Sequence, residues 1–245
     1  MILRSYKLMR LTLMISALVT LSVTGAFSQQ KKNERPDGNT KRGAAQPVAV
    51  DDVEFVYEFA QPNFVNRRIS IRHGLSGKGR IEIETAESEE LLNEELFIPS
   101  DFLKRIRDSL NSLVYLDSST IYQYQKEYPH LGTTTFTYRV GSKSRTVKIT
   151  YTENPAMKAI LGEYRKLGQQ TVWVMQVRTA RDMRPLDTPG LMDILEDYLK
   201  RNELSDPVGL VPFLGELMDD ERLPLIARNK AGRIRDAINR AGKSN

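Results

Sequence analysis

The spacing of apolar residues changes once along this chain, and that change restricts the folds available to it. From residue 53 to residue 151, apolar and polar residues alternate in short runs, as in strands with one buried face. After Pro185, apolar residues recur every three or four positions, as in amphipathic helices. We therefore predict an α+β fold, with antiparallel β-hairpins and packed helices over about 51–168 and an α-helical subdomain over 169–245.

Two pairs of alternating segments have the short connections that β-hairpins require. The first pair, 66–73 and 79–86, surrounds a glycine-rich turn, and the second, 133–140 and 144–151, surrounds a three-residue turn that starts with glycine. A further run over 53–60 predicts one more strand. On the first hairpin we expect four inward-facing isoleucines, namely Ile69, Ile71, Ile81 and Ile83.

Polar residues mark the expected helix starts. Ser100, Thr188 and Asp206 each precede an apolar stripe of helical period, so each predicts an N-cap. The acidic stretch 87–95 has neither the alternation of a strand nor the three- to four-residue period of a helix, so it predicts a long loop. Residues 168–185 have the composition of a strand but continue the preceding helical stripe, and we favour a helix there.

The N-terminal residues follow the order of a secretory signal peptide. Three basic residues among the first ten precede an apolar run over 11–27, and small residues stand at the end of that run. We predict that residues 1–29 are the signal peptide and that the polar stretch 30–50 is a flexible linker. The apolar run is also just long enough to cross a bilayer, so an uncleaved membrane anchor is the alternative.

The chain contains no cysteine. This excludes disulfides, zinc–thiolate sites, cysteine nucleophiles and the lipid attachment of a bacterial lipoprotein. An exported domain without disulfides must depend on its own hydrophobic core, and a chain of this length is sufficient for one. Together with the signal peptide, this composition predicts a periplasmic or secreted protein of a bacterial envelope.

The formal net charge of +5 arises outside the predicted folded part. Residues 51–245 contain 28 basic and 29 acidic side chains, and their aromatic and basic residues do not interleave, so we expect no nucleic-acid partner. The last 18 residues carry a charge of +5, as a solvated helix end often does. Membrane contact is expected only through this basic tail or through an uncleaved signal.

One helical segment combines proline, acidic and apolar residues at a defined spacing. Its members are Val211, Pro212, Leu214, Leu217, Asp219, Asp220, Ile226, Ala227, Arg228, Ala231, Gly232, Ile234 and Ile238. This spacing, over about 206–240, resembles one HEAT repeat. The resemblance implies two helices around an acidic loop, with the proline bending the first, and a role in protein contact. Because a solenoid needs about three repeats, we expect one HEAT-like unit appended to the α+β part.

No motif in the sequence predicts catalysis, a metal or a cofactor. The two histidines, His73 and His130, are far apart, and neither accompanies a nucleophile or metal-ligand pattern. The loop 74–80 lacks the spacing and the following helix of a phosphate-binding loop. The glutamates near residues 82–95 lack the glycine turn and interleaved acids of a calcium loop.

The long connection 114–132 is rich in tyrosine and has no period, as functional loops often do. We expect any ligand site to use Tyr122, Tyr124, Tyr128 and His130. In the helical subdomain we expect partner contacts at Phe213, Arg228, Arg233 and Arg235. The predicted function is a non-enzymatic protein-interaction or structural module of the cell envelope, whose partner is another envelope protein. The alternative is a small-ligand-binding or hydrolytic domain that uses this loop.

Overall fold

A computed structural model describes residues 52–87 and 90–242 of the chain. The predicted signal peptide 1–29 and the predicted linker 30–50 lie outside the described residues. The strands are β1 (Val53–Ala60), β2 (Asn66–His73), β3 (Lys78–Thr85), β4 (Leu92–Phe97), β5 (Thr133–Val140) and β6 (Lys143–Ile149). The helices are α1 (Ser100–Ser112), α2 (Pro155–Met183), α3 (Thr188–Lys200), α4 (Val211–Asp219) and α5 (Leu225–Gly242).

The six strands form one antiparallel sheet in the order β4-β3-β2-β1-β5-β6. Both predicted hairpins are confirmed as β2–β3 and β5–β6. Their turns contain Gly77 with φ +76° and Gly141 with φ +56°, backbone conformations that favour glycine. With five helices joined to this sheet, the predicted α+β class with a helical C-terminal part is confirmed.

The sheet buries one face and exposes the other. Helices α1 and α2 pack on the buried face, where the predicted isoleucines of β2 and β3 join the aromatic residues of β1 and β5 in one core. The opposite face carries cross-strand polar pairs. Glu54 binds Arg139 at 2.6 Å, and the Thr137 and Thr146 hydroxyl oxygens lie 2.7 Å apart. Such pairs suit a solvated face.

The C-terminal helices enclose a second core, and α2 contributes to both cores. Residues 172 and 175 of α2 pack against the core under the sheet, whereas Trp173 and Val177 belong to the core between α3, α4 and α5. Asp220, in the turn after α4, accepts hydrogen bonds from Arg222 and Arg181, and these bonds hold the pKa of its carboxyl well below the usual range. Arg181 belongs to α2, so this carboxylate ties the end of α2 to the helices that follow.

The prediction of a helix over 168–185 is confirmed, because α2 runs without a break through most of that stretch. The prediction of a loop over 87–95 is wrong in its second half, where β4 begins at Leu92. Among the described residues this strand pairs only with β3, and its glutamates suit an edge position, so its sequence lacks an apolar period.

The predicted N-caps have mixed outcomes. The Asp206 carboxylate accepts a hydrogen bond from the Gly209 N–H at 3.0 Å, but the short 3-10 turn that leads into α4 has Pro207 at its N-cap, one residue after the predicted position. The cap predictions at Ser100 and Thr188 are wrong, because each residue already lies inside the first helical turn. The buried Thr188 hydroxyl donates instead to the Pro185 carbonyl oxygen at 2.6 Å.

Gly162 offers a simple way to stabilise α2. A Cβ added at this helical position would meet no other atom within 4 Å. Glycine in a helix interior costs about 1 kcal/mol relative to alanine, so Gly162→Ala is expected to raise the free energy of unfolding by about 0.5–1 kcal/mol in urea denaturation. Gly132→Ala is the matched control and should destabilise, because Gly132 has φ +86° and its Cβ would lie 2.6 Å from the Phe59 ring. Equal effects of the two changes would contradict this account.

Candidate functional site

An open groove of about 580 Å³ lies where β1 and β2 meet the middle of α2. The turn between the two strands forms one wall, and α3 contributes Tyr198 to the lining. Its aromatic and aliphatic lining consists of Tyr57, Phe59, Phe64, Val65, Ile69, Tyr164, Val172, Trp173 and Tyr198. Concave sites with a mainly apolar lining and a few polar groups are the usual binding sites of proteins. We refer to this site as the aromatic groove.

The close approach of α2 to the sheet fixes the depth of the aromatic groove. Gly168 lies in the floor, and a Cβ there would be only 3.4 Å from the Ile69 side chain. One helical turn earlier, Tyr164 is fully buried and its ring stacks on Tyr57 with centroids 5.1 Å apart. The floor is therefore made of rigid packed rings rather than of mobile side chains.

The wall of the groove is held in place by a buried glutamine. The Gln61 side chain donates to the carbonyl oxygens of Pro129 and His130 at 2.9 and 3.0 Å, and its backbone carbonyl accepts from the Phe64 N–H at 3.0 Å. These bonds tie the β1–β2 turn to the end of the long loop. They also hold Phe64 and Val65 at the rim, where both side chains are about half exposed.

The charges in the aromatic groove are balanced. Arg165 is the one cation among the described lining residues, and its guanidinium lies 3.5 Å from the carboxylate of Glu203. A hydrogen bond from Gln169, together with Arg165, lowers the pKa of Glu203 despite an opposing effect of burial, so this carboxylate is ionised at neutral pH. Burial raises the pKa of Tyr57 to about 12, so this phenol remains neutral.

Several amide side chains on the rim are available to a ligand. Asn63, Asn66 and Gln176 line the groove, and their side-chain amides make no hydrogen bond within the part of the chain that the structure describes. Each amide offers both donors and an acceptor. The groove therefore combines an apolar floor with neutral hydrogen-bonding groups at its edge.

Beneath the floor lies a buried polar pair, His73 and Tyr164. The His73 Nε2 is 2.7 Å from the Tyr164 hydroxyl, and its Nδ1 is 3.0 Å from the Gly74 carbonyl oxygen. Because a carbonyl only accepts, Nδ1 carries the proton and Nε2 accepts from the tyrosine. Burial lowers the pKa of His73 to about 4, although the bond to Gly74 opposes this shift. Both side chains are enclosed by rings, including Phe55 at 4.7 Å from His73, which makes this pair structural.

None of the four predicted loop residues lines the aromatic groove. Tyr122 is buried, and Arg145 lies over its ring and that of Tyr115, each at 5.0 Å. Tyr124 and Tyr128 stack on each other with centroids 6.4 Å apart. His130 is exposed beside them and meets the Tyr128 ring edge-on. Three of the four predicted residues therefore form a half-exposed aromatic cluster, and the fourth packs into the sheet.

The predicted partner-binding residues of the helical subdomain are divided between two places. Phe213 packs edge-on against Trp173 at 6.1 Å, next to the floor of the aromatic groove. Arg228 and Arg233 line a shallow hollow between α4 and α5, where Arg228 donates to the Met218 carbonyl oxygen at 2.8 Å. The Arg235 side chain lies 2.9 Å from the Asp236 carboxylate.

The aromatic groove itself was not anticipated from the sequence. Its residues come from four separate elements, and each of those segments has the pattern of an ordinary strand or helix. The one available signal was the pair Phe64–Val65, two large apolar residues within an otherwise polar turn.

Comparison with known proteins adds no relative. No protein-family model matches the chain, and no curated protein sequence matches it. Among the residues that the structure describes, no helix combines the length and apolar character needed to span a bilayer. The same residues contain no group of three or more histidine, aspartate or glutamate side chains arranged to hold a metal ion.

Proposed function

We propose that this chain is a non-enzymatic interaction module of the cell envelope that holds an apolar segment of a partner protein in the aromatic groove. The observation that supports this most directly is the floor of packed rings beneath a rim of amides that make no hydrogen bond to the described residues. Aromatic residues and arginine are enriched where proteins bind one another most tightly. Leucine or phenylalanine side chains of a partner would enter the floor, and the rim amides would bind its backbone.

The balanced charge of the groove supports a neutral partner segment. The Arg165 guanidinium already has the Glu203 carboxylate beside it, so an anionic ligand would have to compete with that pair. A neutral segment displaces water from the rings and leaves the ion pair intact. Peptide groups are neutral and carry both a donor and an acceptor, as do the side chains of Asn63 and Gln176.

The helical subdomain has a supporting role in this proposal. Its helices α4 and α5 form the segment whose sequence resembles a HEAT repeat, and we propose that Phe213, Arg228, Arg233 and Arg235 extend the contact surface. Phe213 connects the two regions, because its ring packs on Trp173 at the groove floor. Residues 1–29 support an envelope location, since they have the order of a signal peptide.

Peptide titration tests this function directly. The chain has one tryptophan, Trp173, so its single indole N–H resonance reports on the groove floor. A panel of capped hexapeptides with a central leucine or phenylalanine is expected to shift this resonance in a saturable way. Phe64→Asp should lower the affinity for the tightest-binding peptide by about tenfold, because a carboxylate then occupies the apolar rim.

The matched control is Ile121→Asp. Ile121 is 85% exposed and lies outside the groove, so the same charge at that position should leave the peptide affinity unchanged. Equal weakening by both substitutions, or no saturable shift with any peptide, would overturn the proposal. A saturable shift with oligosaccharides alone would also overturn it and would assign the groove to glycans.

A further inference from the structure

The outer edge of β4 is a second surface that nothing in the proposed groove function uses. β4 pairs with β3 on one side, and on its other side no described residue continues the sheet. Its exposed side chains include Phe97, which is 74% exposed, and Leu92, which is 41% exposed. An open sheet edge with exposed apolar residues is a template for another strand.

The register of β3 and β4 identifies which backbone groups face outward. The Ile98 N–H donates to the Gly77 carbonyl oxygen at 2.7 Å, one position beyond the paired residues Lys78 and Phe97. Because hydrogen-bonded and non-hydrogen-bonded pairs alternate along an antiparallel ladder, the N–H and C=O groups that point away from β3 belong to Asn93, Glu95 and Phe97. Alternate residues of β4 therefore offer donors and acceptors to an added strand.

The opposite edge of the sheet, at β6, has a loop of the same chain beside it. The long loop after α1 lies against β6 and the residues that follow it. The Tyr124 N–H donates to the Tyr151 carbonyl oxygen at 2.9 Å, and Gln123 accepts from the Thr150 N–H at 2.7 Å. Arg145 of β6 donates to the Thr120 carbonyl oxygen of the same loop at 2.6 Å. The loop thus binds the chain at the β6 edge, at Arg145 and just beyond the strand, whereas at the β4 edge no described residue continues the sheet.

A cavity of about 180 Å³ lies between β4 and α2. Val174, Met175 and Phe97 contribute apolar surface to it, and Arg178 binds Glu94 across it at 3.2 Å. Side chains of a strand added to β4 would point alternately toward this cavity and toward the open face of the sheet. Backbone pairing at a sheet edge combined with a pocket for alternate side chains is the arrangement of proteins that bind peptides by strand addition.

We infer that the β4 edge binds an extended basic peptide segment of a partner protein by strand addition. The charges at this edge favour a basic partner. Glu94, Glu95 and Asp206 line the cavity, and Arg178 is the one basic residue among its lining residues. Glu94 is paired with the buried Ile81 and Glu95 with Arg80, so the two glutamates lie on opposite faces of β4. Lysine or arginine side chains on the open face would lie near Glu95, while the alternating apolar residues enter the cavity.

The same charges disfavour a second copy of this chain as the occupant. Antiparallel pairing of β4 with β4 of another copy, centred on Glu94 or on Glu95, would place that glutamate directly opposite its own copy across the new ladder, and like charges in that position are destabilising. At the β6 edge of another copy, its own loop already binds the Arg145 side chain and the Thr150 N–H. A separate basic segment avoids both obstacles.

Fluorescence anisotropy with a labelled six-residue peptide of alternating valine and lysine tests this inference. The valine–lysine peptide should bind the full chain, and a valine–glutamate peptide should bind about tenfold more weakly. Two further peptides carry methyl groups on backbone nitrogens, one on the nitrogen of every valine and the other on the backbone nitrogen of every lysine. Since one set of N–H groups faces β4 and the other faces away, one methylated peptide should lose binding and the other should retain it.

Substitutions in the chain complete the test. Glu95→Pro removes an outward N–H while leaving the pairing with β3 intact, so it should abolish binding without changing the unfolding midpoint. Glu95→Lys should weaken binding of the valine–lysine peptide and strengthen binding of the valine–glutamate peptide. This variant provides the test if the proline variant does not fold. Glu127→Lys makes the same charge change beside the covered edge and should have no effect. Equal binding of both methylated peptides, or an unchanged affinity in Glu95→Lys, would overturn the inference. Neither result affects the test of the aromatic groove, which is measured separately through the indole N–H resonance of Trp173.

Discussion

The Trp173→Ala variant is expected to unfold with a free energy about 4 kcal/mol below that of the unchanged protein. The Trp173 side chain is 1% exposed, and its indole N–H donates to the Leu191 carbonyl oxygen at 2.7 Å. Alanine would remove the packing of a large ring, leave a cavity and leave that carbonyl without its donor. Guanidinium denaturation followed by circular dichroism measures this change, because the variant has no tryptophan fluorescence.

The position of Trp173 makes its removal a test of how the two cores are coupled. Its neighbours Val172 and Met175 pack under the sheet. Trp173 itself packs against α3 and α4, where its ring meets Phe213 edge-on. We therefore expect one cooperative transition at a lower denaturant concentration, with the slope of the transition retained. Two separate transitions would contradict the role of α2 as a shared element of both cores.

A conservative replacement separates packing from hydrogen bonding at this position. Trp173→Phe keeps one aromatic ring but removes the donor to Leu191, so it should cost about 1–3 kcal/mol, less than the alanine change. Equal losses in the two variants would mean that the hydrogen bond, not the ring, dominates the contribution of Trp173. A loss below about 1 kcal/mol in Trp173→Ala would contradict the structural account altogether.

The features that could be predicted from the sequence are those that depend on near neighbours. The two hairpins are specified by alternating residues on either side of short turns, and the helical end of the chain by its apolar period. The β4 strand was missed because it has a single neighbour and carries glutamates where a central strand would carry apolar residues. The aromatic groove was missed because lining residues as distant in sequence as Tyr57 and Tyr198 come together only through tertiary packing.

The tyrosine-rich loop shows how composition can indicate structure and function equally well. Its length and aromatic content predicted a ligand site at Tyr122, Tyr124, Tyr128 and His130. In the structure, Arg145 of β6 lies over the Tyr122 ring, and the Tyr124 N–H donates to the Tyr151 carbonyl oxygen just beyond that strand. Aromatic residues that cover a sheet edge and aromatic residues that bind a ligand have the same sequence signature, so only their packing separates the two roles.

Acidification is expected to destabilise the protein through His73 before the carboxylates titrate. The pKa of this histidine is about 4 in the folded state and 6.5 when exposed, so the unfolded state binds more protons between these values. The free energy of unfolding therefore rises with pH across this window. The contribution of His73 is fully present above about pH 7 and is lost as the pH falls toward 4. The expected loss is about 1 kcal/mol between pH 7 and 5.5 and about 3 kcal/mol by pH 4.

Urea denaturation at a series of pH values measures this slope, and the two histidines provide the control. His73→Gln removes the titrating group, so its unfolding free energy should be nearly independent of pH between about 7 and 5.5, whatever its absolute value. His130→Gln, at the exposed histidine, should retain the full dependence. A slope that persists in His73→Gln would mean that another group is responsible. A flat profile in the unchanged protein would mean that the ring can accept a proton in place, although the Nε2–Tyr164 and Nδ1–Gly74 contacts enclose it on both sides.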